Sequence, residues 1–137
     1  MAVEIYLPEK VYLAPSSIHG YGVFAKDWIR KGEIIEECPV IRMELDSSVP
    51  CWHVLESYRF NWPCGIGKEV QYQAMPAGYG AIYNHSNNNN AIWKSSEPRE
   101  TFIFYALRDI APGEEIFTYY GEGYWGEGNR LKPEELK

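Results

Sequence analysis

Short runs in which apolar and polar residues alternate recur along the chain, with turn-forming residues between them. In the N-terminal half these runs are "VEIYLP", "KVYLA", "GVFA" and "EIIEECPVI"; in the C-terminal half they are "EVQYQAM", "AIWK", "TFIFYAL" and "EIFTYYG". A period of two residues is typical of half-buried strands, and "RKGE", "PAGYG" and "APGEE" supply the turns. We therefore predict a mainly β fold of many short strands, with "AIWK" and "TFIFYAL" paired and a short helix or helical turn near residues 51–58.

Composition narrows the class of partner. The 137 residues are 45% hydrophobic and 23% charged, which predicts a single folded domain over residues 1–137. The net charge of -6 and the lack of a basic run disfavour direct binding to nucleic acid. An acidic surface suits a basic, lysine-containing partner, although solubility alone explains most of the charges. No apolar stretch approaches the ~20 residues that cross a bilayer, so no membrane partner is predicted.

The cysteines indicate a reducing compartment. Cys38, Cys51 and Cys64 are widely spaced and include no C-x-x-C pair, which favours neither a zinc cluster nor a disulfide framework. We therefore predict no metal site. The N-terminus also lacks the features of a secretory signal, so we expect a soluble intracellular protein. Cytoplasm is the predicted location, and the nucleus of a host or eukaryotic cell stays open.

Three segments carry candidate chemistry. The first, "SSIHGYGVFA", places Gly20 and Gly22 at the start of a strand, where they form either a hairpin turn or a close backbone approach to a ligand. It lacks the third glycine and the helix of a dinucleotide-binding fingerprint. The second, "YNHSNNNNAI", is either a polar surface loop or a turn that binds a ligand through the Asn84 side chain and the His85 backbone. A hydrolase triad is rejected there, because no acid or separate nucleophile completes one.

The third segment, "APGEEIFTYYGEGYW", combines a strong turn, a strand and a cluster of aromatic residues. Tyr119, Tyr120, Tyr124 and Trp125 flank two glycines. The cluster is either a strand end packed into the core or the wall of a site.

In this order, the three segments resemble the SET-domain family of protein-lysine methyltransferases. "HGYGVFA" looks like the family's N-terminal G-x-G motif, "GYGAIYNHSNNNNA" is similar to its N-H-S-C-x-P-N segment, and "GEEIFTYYG" is similar to its G-E-E-L-x-x-x-Y-G. The resemblance runs over about residues 10–125, with 126–137 as a C-terminal tail, and is strongest to the minimal viral members. Asn87 and Asn89 stand where many members have Cys and Pro, Tyr119 stands where Asp is frequent, and the cysteine-rich segment that follows many SET domains is absent.

The resemblance implies a fold of small curved sheets with a C-terminal pseudoknot, which brings the Asn84 loop to the strand end at Tyr120. It implies transfer of a methyl group from S-adenosyl-L-methionine to a lysine side-chain amine of a protein, such as a histone-like basic tail. The catalytic residue implied is Tyr120. The implied cofactor-binding residues are Gly20, Tyr21, Gly22, Asn84, His85, Tyr120 and Trp125. Tyr21 and Tyr124 would line the lysine channel.

Two other interpretations remain open. One keeps the fold without turnover, as a SET-like module that binds peptide or cofactor. The other is a small β-rich module with an aromatic groove for glycans or peptides, which would have no affinity for S-adenosylmethionine. A chain this short could also complete its substrate groove with a second copy, so a homodimer is a further expectation.

Overall fold

The computed structural model describes residues 4–43, 60–63 and 72–119. Nine strands and no helix lie within these ranges: β1 Val11–Pro15, β2 Tyr21–Ala25, β3 Ile34–Met43, β4 Phe60–Trp62, β5 Tyr72–Pro76, β6 Asn84–His85, β7 Ala91–Ser96, β8 Thr101–Ala106 and β9 Glu115–Thr118. The mainly β prediction is confirmed. The helix predicted near residues 51–58 and the C-terminal tail lie outside the described residues.

A four-stranded sheet joins the two ends of the described chain, in the order β1-β2-β9-β6. β1 and β2 form an antiparallel hairpin, and β2 pairs antiparallel with β9 through Val23 and Ile116. β6 is the exception, because its two residues pair parallel to β9. The alternation pattern missed β6, since two residues are too few to show a period.

A five-stranded antiparallel sheet has the order β4-β5-β3-β8-β7. Its centre is the ten-residue strand β3, whose register against β8 shifts between Ile34 and Glu36. β7 and β8 pair in register from Ala91 and Ala106 to Ser96 and Thr101, which confirms the predicted pairing of "AIWK" with "TFIFYAL".

The predicted strand "VEIYLP" is wrong over the residues described. Residues 4–9 form no strand, and isolated hydrogen bonds to distant residues hold them instead of a ladder. Glu37 donates its backbone N–H to the Tyr6 carbonyl at 3.1 Å, and Arg99 reaches the Glu4 carbonyl at 2.7 Å. Pro8 has no backbone N–H to donate, so the segment cannot continue a regular ladder.

Aromatic side chains dominate the core of the five-stranded sheet. Phe60 contacts the rings of Trp93, Phe102 and Phe104 at centroid distances of 5.0, 5.0 and 6.5 Å. Tyr83 stacks on Phe104 at 4.7 Å. Edge-to-face and offset contacts of this kind stabilise the fold beyond the burial of apolar area, so these aromatic residues contribute to the core.

Two adjacent glutamates of β3 are buried with partners. The Tyr83 hydroxyl donates to Glu36 at 2.5 Å, and burial raises the pKa of Glu36. Glu37 accepts from Arg99 Nε at 2.6 Å and from the Thr101 hydroxyl at 2.7 Å. The Arg99 guanidinium holds the pKa of Glu37 at about 2.

Candidate functional site

The asparagine run lies beside the strand that leads to Tyr120. Asn84 is in register with Phe117, and Ser86 donates its backbone N–H to the Thr118 carbonyl at 3.0 Å. Segments 33 residues apart in register therefore meet through backbone hydrogen bonds. Tyr120 itself, together with Tyr124, Trp125 and the threaded segment of the predicted pseudoknot, falls outside the described residues.

Asn84 connects all three candidate segments. The residue is 5% exposed, and its side-chain Nδ2 lies 3.0 Å from the His19 carbonyl, 3.3 Å from the Tyr21 carbonyl and 2.9 Å from Glu115 Oε2. Three acceptors around one atom identify that atom as the amide nitrogen. The other amide atom, Oδ1, has no hydrogen-bond partner among the residues the structure describes. A buried acceptor without a donor is costly, so its environment suits a ligand that donates.

The glycine segment folds as a tight loop between β1 and β2. Ser16 donates its backbone N–H to the Gly20 carbonyl at 2.7 Å, and Gly20 has a positive φ of 51°. No other heavy atom lies within 4 Å of the position a Gly20 Cβ would take. Gly20 therefore leaves open space above the loop, as a close backbone approach to a ligand requires.

Glycine is required at position 22 for a different reason, the space taken by the Glu115 side chain. A Cβ at this position would lie 2.3 Å from Glu115 Oε2 and 3.1 Å from Ser16 Cβ. Its φ is not in the left-handed region, so packing and not backbone conformation demands glycine here. The second glycine of the motif admits the Glu115 carboxylate.

The asparagine run is not a polar surface loop over its whole length, because its last residue is buried. Asn90 is 1% exposed and bonds to β9 on both sides of its amide: Nδ2 donates to the Glu115 carbonyl at 2.9 Å, and Oδ1 accepts from the Phe117 N–H at 2.8 Å. Asn87 and Asn88 are exposed. The run thus has a buried asparagine at each end and a polar surface between them.

His85 is buried beside Asn84. Its ring lies 5.1 Å from the ring of Tyr119, and its Nε2 is 3.1 Å from Asn87 Oδ1. Burial lowers the pKa of His85, so the ring is neutral near pH 7. Tyr21, the predicted channel residue, is 65% exposed at the start of β2.

Three residues of this site were not predicted from the sequence: Ser16, Asn90 and Glu115. The Ser16 hydroxyl lies 2.8 and 2.9 Å from the two carboxylate oxygens of Glu115. Glu115 follows a turn in "PGEE", where a glutamate is more often solvated, and only the adjacent apolar residue of "EIF" hints at an inward position.

The site offers no cluster of metal ligands in the described ranges 4–43, 60–63 and 72–119. No group of three or more His, Cys, Asp or Glu side chains there could hold a metal ion. In the same part of the chain there is no helix of the length and apolarity needed to cross a membrane.

Comparison with known families accounts for the order of the three segments. Residues 20–121 match the SET domain, a stretch that includes the glycine loop, the asparagine run and β9. This chain belongs to the SET-domain family. A relative from Schizosaccharomyces pombe, named histone-lysine N-methyltransferase, H3 lysine-37 specific, is 29% identical to this SET domain over 123 residues, which is 85% of this chain and 80% of that protein.

Two Plasmodium falciparum proteins are also similar to this SET domain. One, provisionally named histone-lysine N-methyltransferase 1, is 30% identical over 131 residues, 89% of this chain, although those residues are 2% of its own length. The other is a solved structure described provisionally as a histone methyltransferase, with a TM-score of 0.69 and 31% identity over 88% of this chain and 100% of that one. The structural match confirms the predicted SET fold.

Proposed function

We propose that this SET domain transfers a methyl group from S-adenosyl-L-methionine to the side-chain amine of a lysine in a basic protein. The observation that carries the proposal is the state of Asn84, whose buried Nδ2 is committed to the glycine loop and Glu115 while Oδ1 has no partner among the described residues.

The residues present fit the amino-acid end of this cofactor. Its ammonium group donates hydrogen bonds and carries a positive charge. Asn84 Oδ1 offers an acceptor, and the space over Gly20 leaves room for an approach to the loop backbone. Glu115 has no ion-pair partner among the described residues, so its charge adds to a potential that favours cations. When bound, the cofactor supplies the methyl group, and the chain's own residues orient it.

The acceptor lysine must lose its proton before it can attack. Its reference pKa of about 10.4 leaves a deficit of about 3.4 units at pH 7, or roughly 4.6 kcal/mol. Aromatic walls lower the pKa of an entering lysine by desolvation, while their faces still attract its ammonium form. We assign this part to Tyr21 and Tyr124, with Tyr120 as the group that positions the reacting nitrogen; a phenol that also titrates near 10 is a poor base at neutral pH.

The substrate class is proposed as a histone-like basic tail. Relatives of this chain are named histone-lysine methyltransferases, and this chain carries a net charge of -6. An acidic enzyme accelerates encounter with a basic tail in a salt-dependent manner. The predicted likeness to the minimal viral members and the homodimer both stay predictions.

The decisive experiment measures methyl transfer to histone peptides by mass spectrometry, together with calorimetric binding of S-adenosylmethionine. Wild type should add 14-dalton increments to a lysine, Tyr120→Phe should bind cofactor but turn over about 100-fold more slowly, and Trp125→Ala should bind cofactor more weakly. Cofactor binding without transfer to any basic substrate would favour the non-catalytic module. A folded wild type without affinity for the cofactor would refute the proposal and favour the glycan- or peptide-binding module.

A further inference from the structure

We propose that Glu115 is a positioning residue for the cofactor, acting through Asn84. Its carboxylate fixes the Asn84 amide so that Oδ1 faces the ligand. The inference rests on the proposed function, because it names a residue that governs the affinity of the same site.

The geometry supports a directional role. Glu115 Oε2 accepts from Asn84 Nδ2 at 2.9 Å, and both carboxylate oxygens accept from Ser16 Oγ. Ser16 Oγ in turn accepts from the backbone N–H of Ile18 at 3.0 Å. The carboxylate thus joins the glycine loop to the asparagine run. An ionised acceptor forms stronger hydrogen bonds than a neutral one, so it holds the amide in one of its two flipped orientations.

The surroundings show that the carboxylate has a specific place. The absence of a Cβ at Gly22 is what allows Oε2 to lie where it does, since an added methyl group would come within 2.3 Å of it. Asn90 holds the Glu115 backbone from the other side, through the 2.9 Å bond to its carbonyl. Ser16 and Asn84 therefore fix the Glu115 side chain, and Asn90 fixes its backbone.

The test compares wild type, Glu115→Gln and the control Glu33→Gln. Glu33 is the control because it also follows a glycine turn and, like Glu115, accepts hydrogen bonds from two residues, in its case the backbone N–H of Arg30 and the side chain of Lys10. Binding is measured for S-adenosylmethionine and for 5′-methylthioadenosine, which lacks the amino-acid end. Steady-state kinetics with a basic peptide then separate KM for the cofactor from kcat.

We expect Glu115→Gln to weaken binding of S-adenosylmethionine by about 10-fold, with less than about a twofold change for 5′-methylthioadenosine. KM for the cofactor should rise by a similar factor, while kcat at saturating cofactor is maintained. In the Asn84→Ala background, Glu115→Gln should have no further effect on affinity, because the two residues act as one unit. Glu33→Gln should bind both ligands as wild type does.

Three results would overturn the role of Glu115. The first is an unchanged affinity of Glu115→Gln for S-adenosylmethionine. The second is an equal loss of affinity for both ligands, which indicates general damage to the pocket. The third is a lowered kcat with an unchanged KM, which indicates a smaller folded fraction. A wild type that binds cofactor but transfers no methyl group refutes the proposed function alone, because the binding comparison still decides on Glu115. A wild type that binds no cofactor refutes both.

Discussion

Replacement of Gly22 by alanine should damage stability and cofactor binding together. The new Cβ would lie 2.3 Å from Glu115 Oε2 and 2.9 Å from Glu115 Cδ. To restore an ordinary contact of 3.4 Å, the oxygen must retreat by about 1.1 Å, the difference between these two distances. Such a movement is large enough to break the 2.9 Å bond to Asn84, because hydrogen bonds longer than about 3.5 Å contribute little.

The cost follows from overpacking and a lost hydrogen bond. Overpacking costs about 1–3 kcal/mol, and the movable end of a glutamate places this case in the lower half of that range. Loss of the bond to an ionised acceptor adds about 1.5 kcal/mol. A total of about 3 kcal/mol corresponds to a fall in Tm of roughly 12 °C for a chain of this size.

Thermal unfolding followed by circular dichroism, with and without S-adenosylmethionine, measures both effects. Gly20→Ala is the control for stability in the absence of cofactor, because its Cβ meets no atom within 4 Å but its φ of 51° costs an alanine about 1 kcal/mol. A second variant, Gly22→Ala with Glu115→Ala, removes the clash and should regain Tm without regaining cofactor affinity. If Gly22→Ala melts at the same temperature as wild type, or if the double variant binds cofactor normally, the packing argument is wrong.

Two predictions concern the buried glutamates of β3 and are measured as the free energy of unfolding against pH. Arg99→Gln should lower the free energy of unfolding at pH 7. The difference from wild type should disappear as pH falls from about 4.5 to about 2, because the lowered pKa of Glu37 contributes its full stability only above that window. A difference that is constant with pH would contradict this. Tyr83→Phe removes the hydroxyl that donates to Glu36 and should cost about 1–3 kcal/mol. Burial raises the pKa of Glu36, so the stability that protonated Glu36 contributes is full below about pH 4.5 and declines as pH rises. The cost of Tyr83→Phe should therefore be larger at pH 8 than at pH 4. Adding Glu36→Gln to Tyr83→Phe should recover part of the lost stability.

Most strand positions could be predicted from the sequence, because the alternation of apolar and polar residues is a local property. The runs that became β1, β2 and β8 each have an apolar residue at every second position, whereas β3 carries Glu36 and Glu37 within its apolar run. "VEIYLP" carries the same pattern and yet forms no strand over its described residues, because a ladder requires a neighbour as well as a pattern. Its contacts come from Glu37 and Arg99, which lie far along the chain.

Only part of the candidate site could be predicted from the sequence, because residues far apart in the chain decide whether a polar side chain is buried. Asn84 and Asn90 look alike in the run of asparagines, but one connects the glycine loop and the other secures β9. Their different tasks depend on the parallel pairing of β6 with β9, which no local pattern encodes. Glu115 was missed for the same reason, because its serine partner is 99 residues earlier.

The hydrogen bonds between Ser16 and Glu115 also constrain the order of events during synthesis. The two residues are 99 positions apart. The β1–β2 hairpin therefore cannot pair with β9 during synthesis until nearly the whole described chain has left the ribosome. Contacts this far apart in sequence form late and slowly, because the loop must close before the contact stabilises it. The five-stranded sheet, whose neighbours lie closer in sequence, can assemble first. A nascent chain that ends before residue 115 should therefore bind no cofactor.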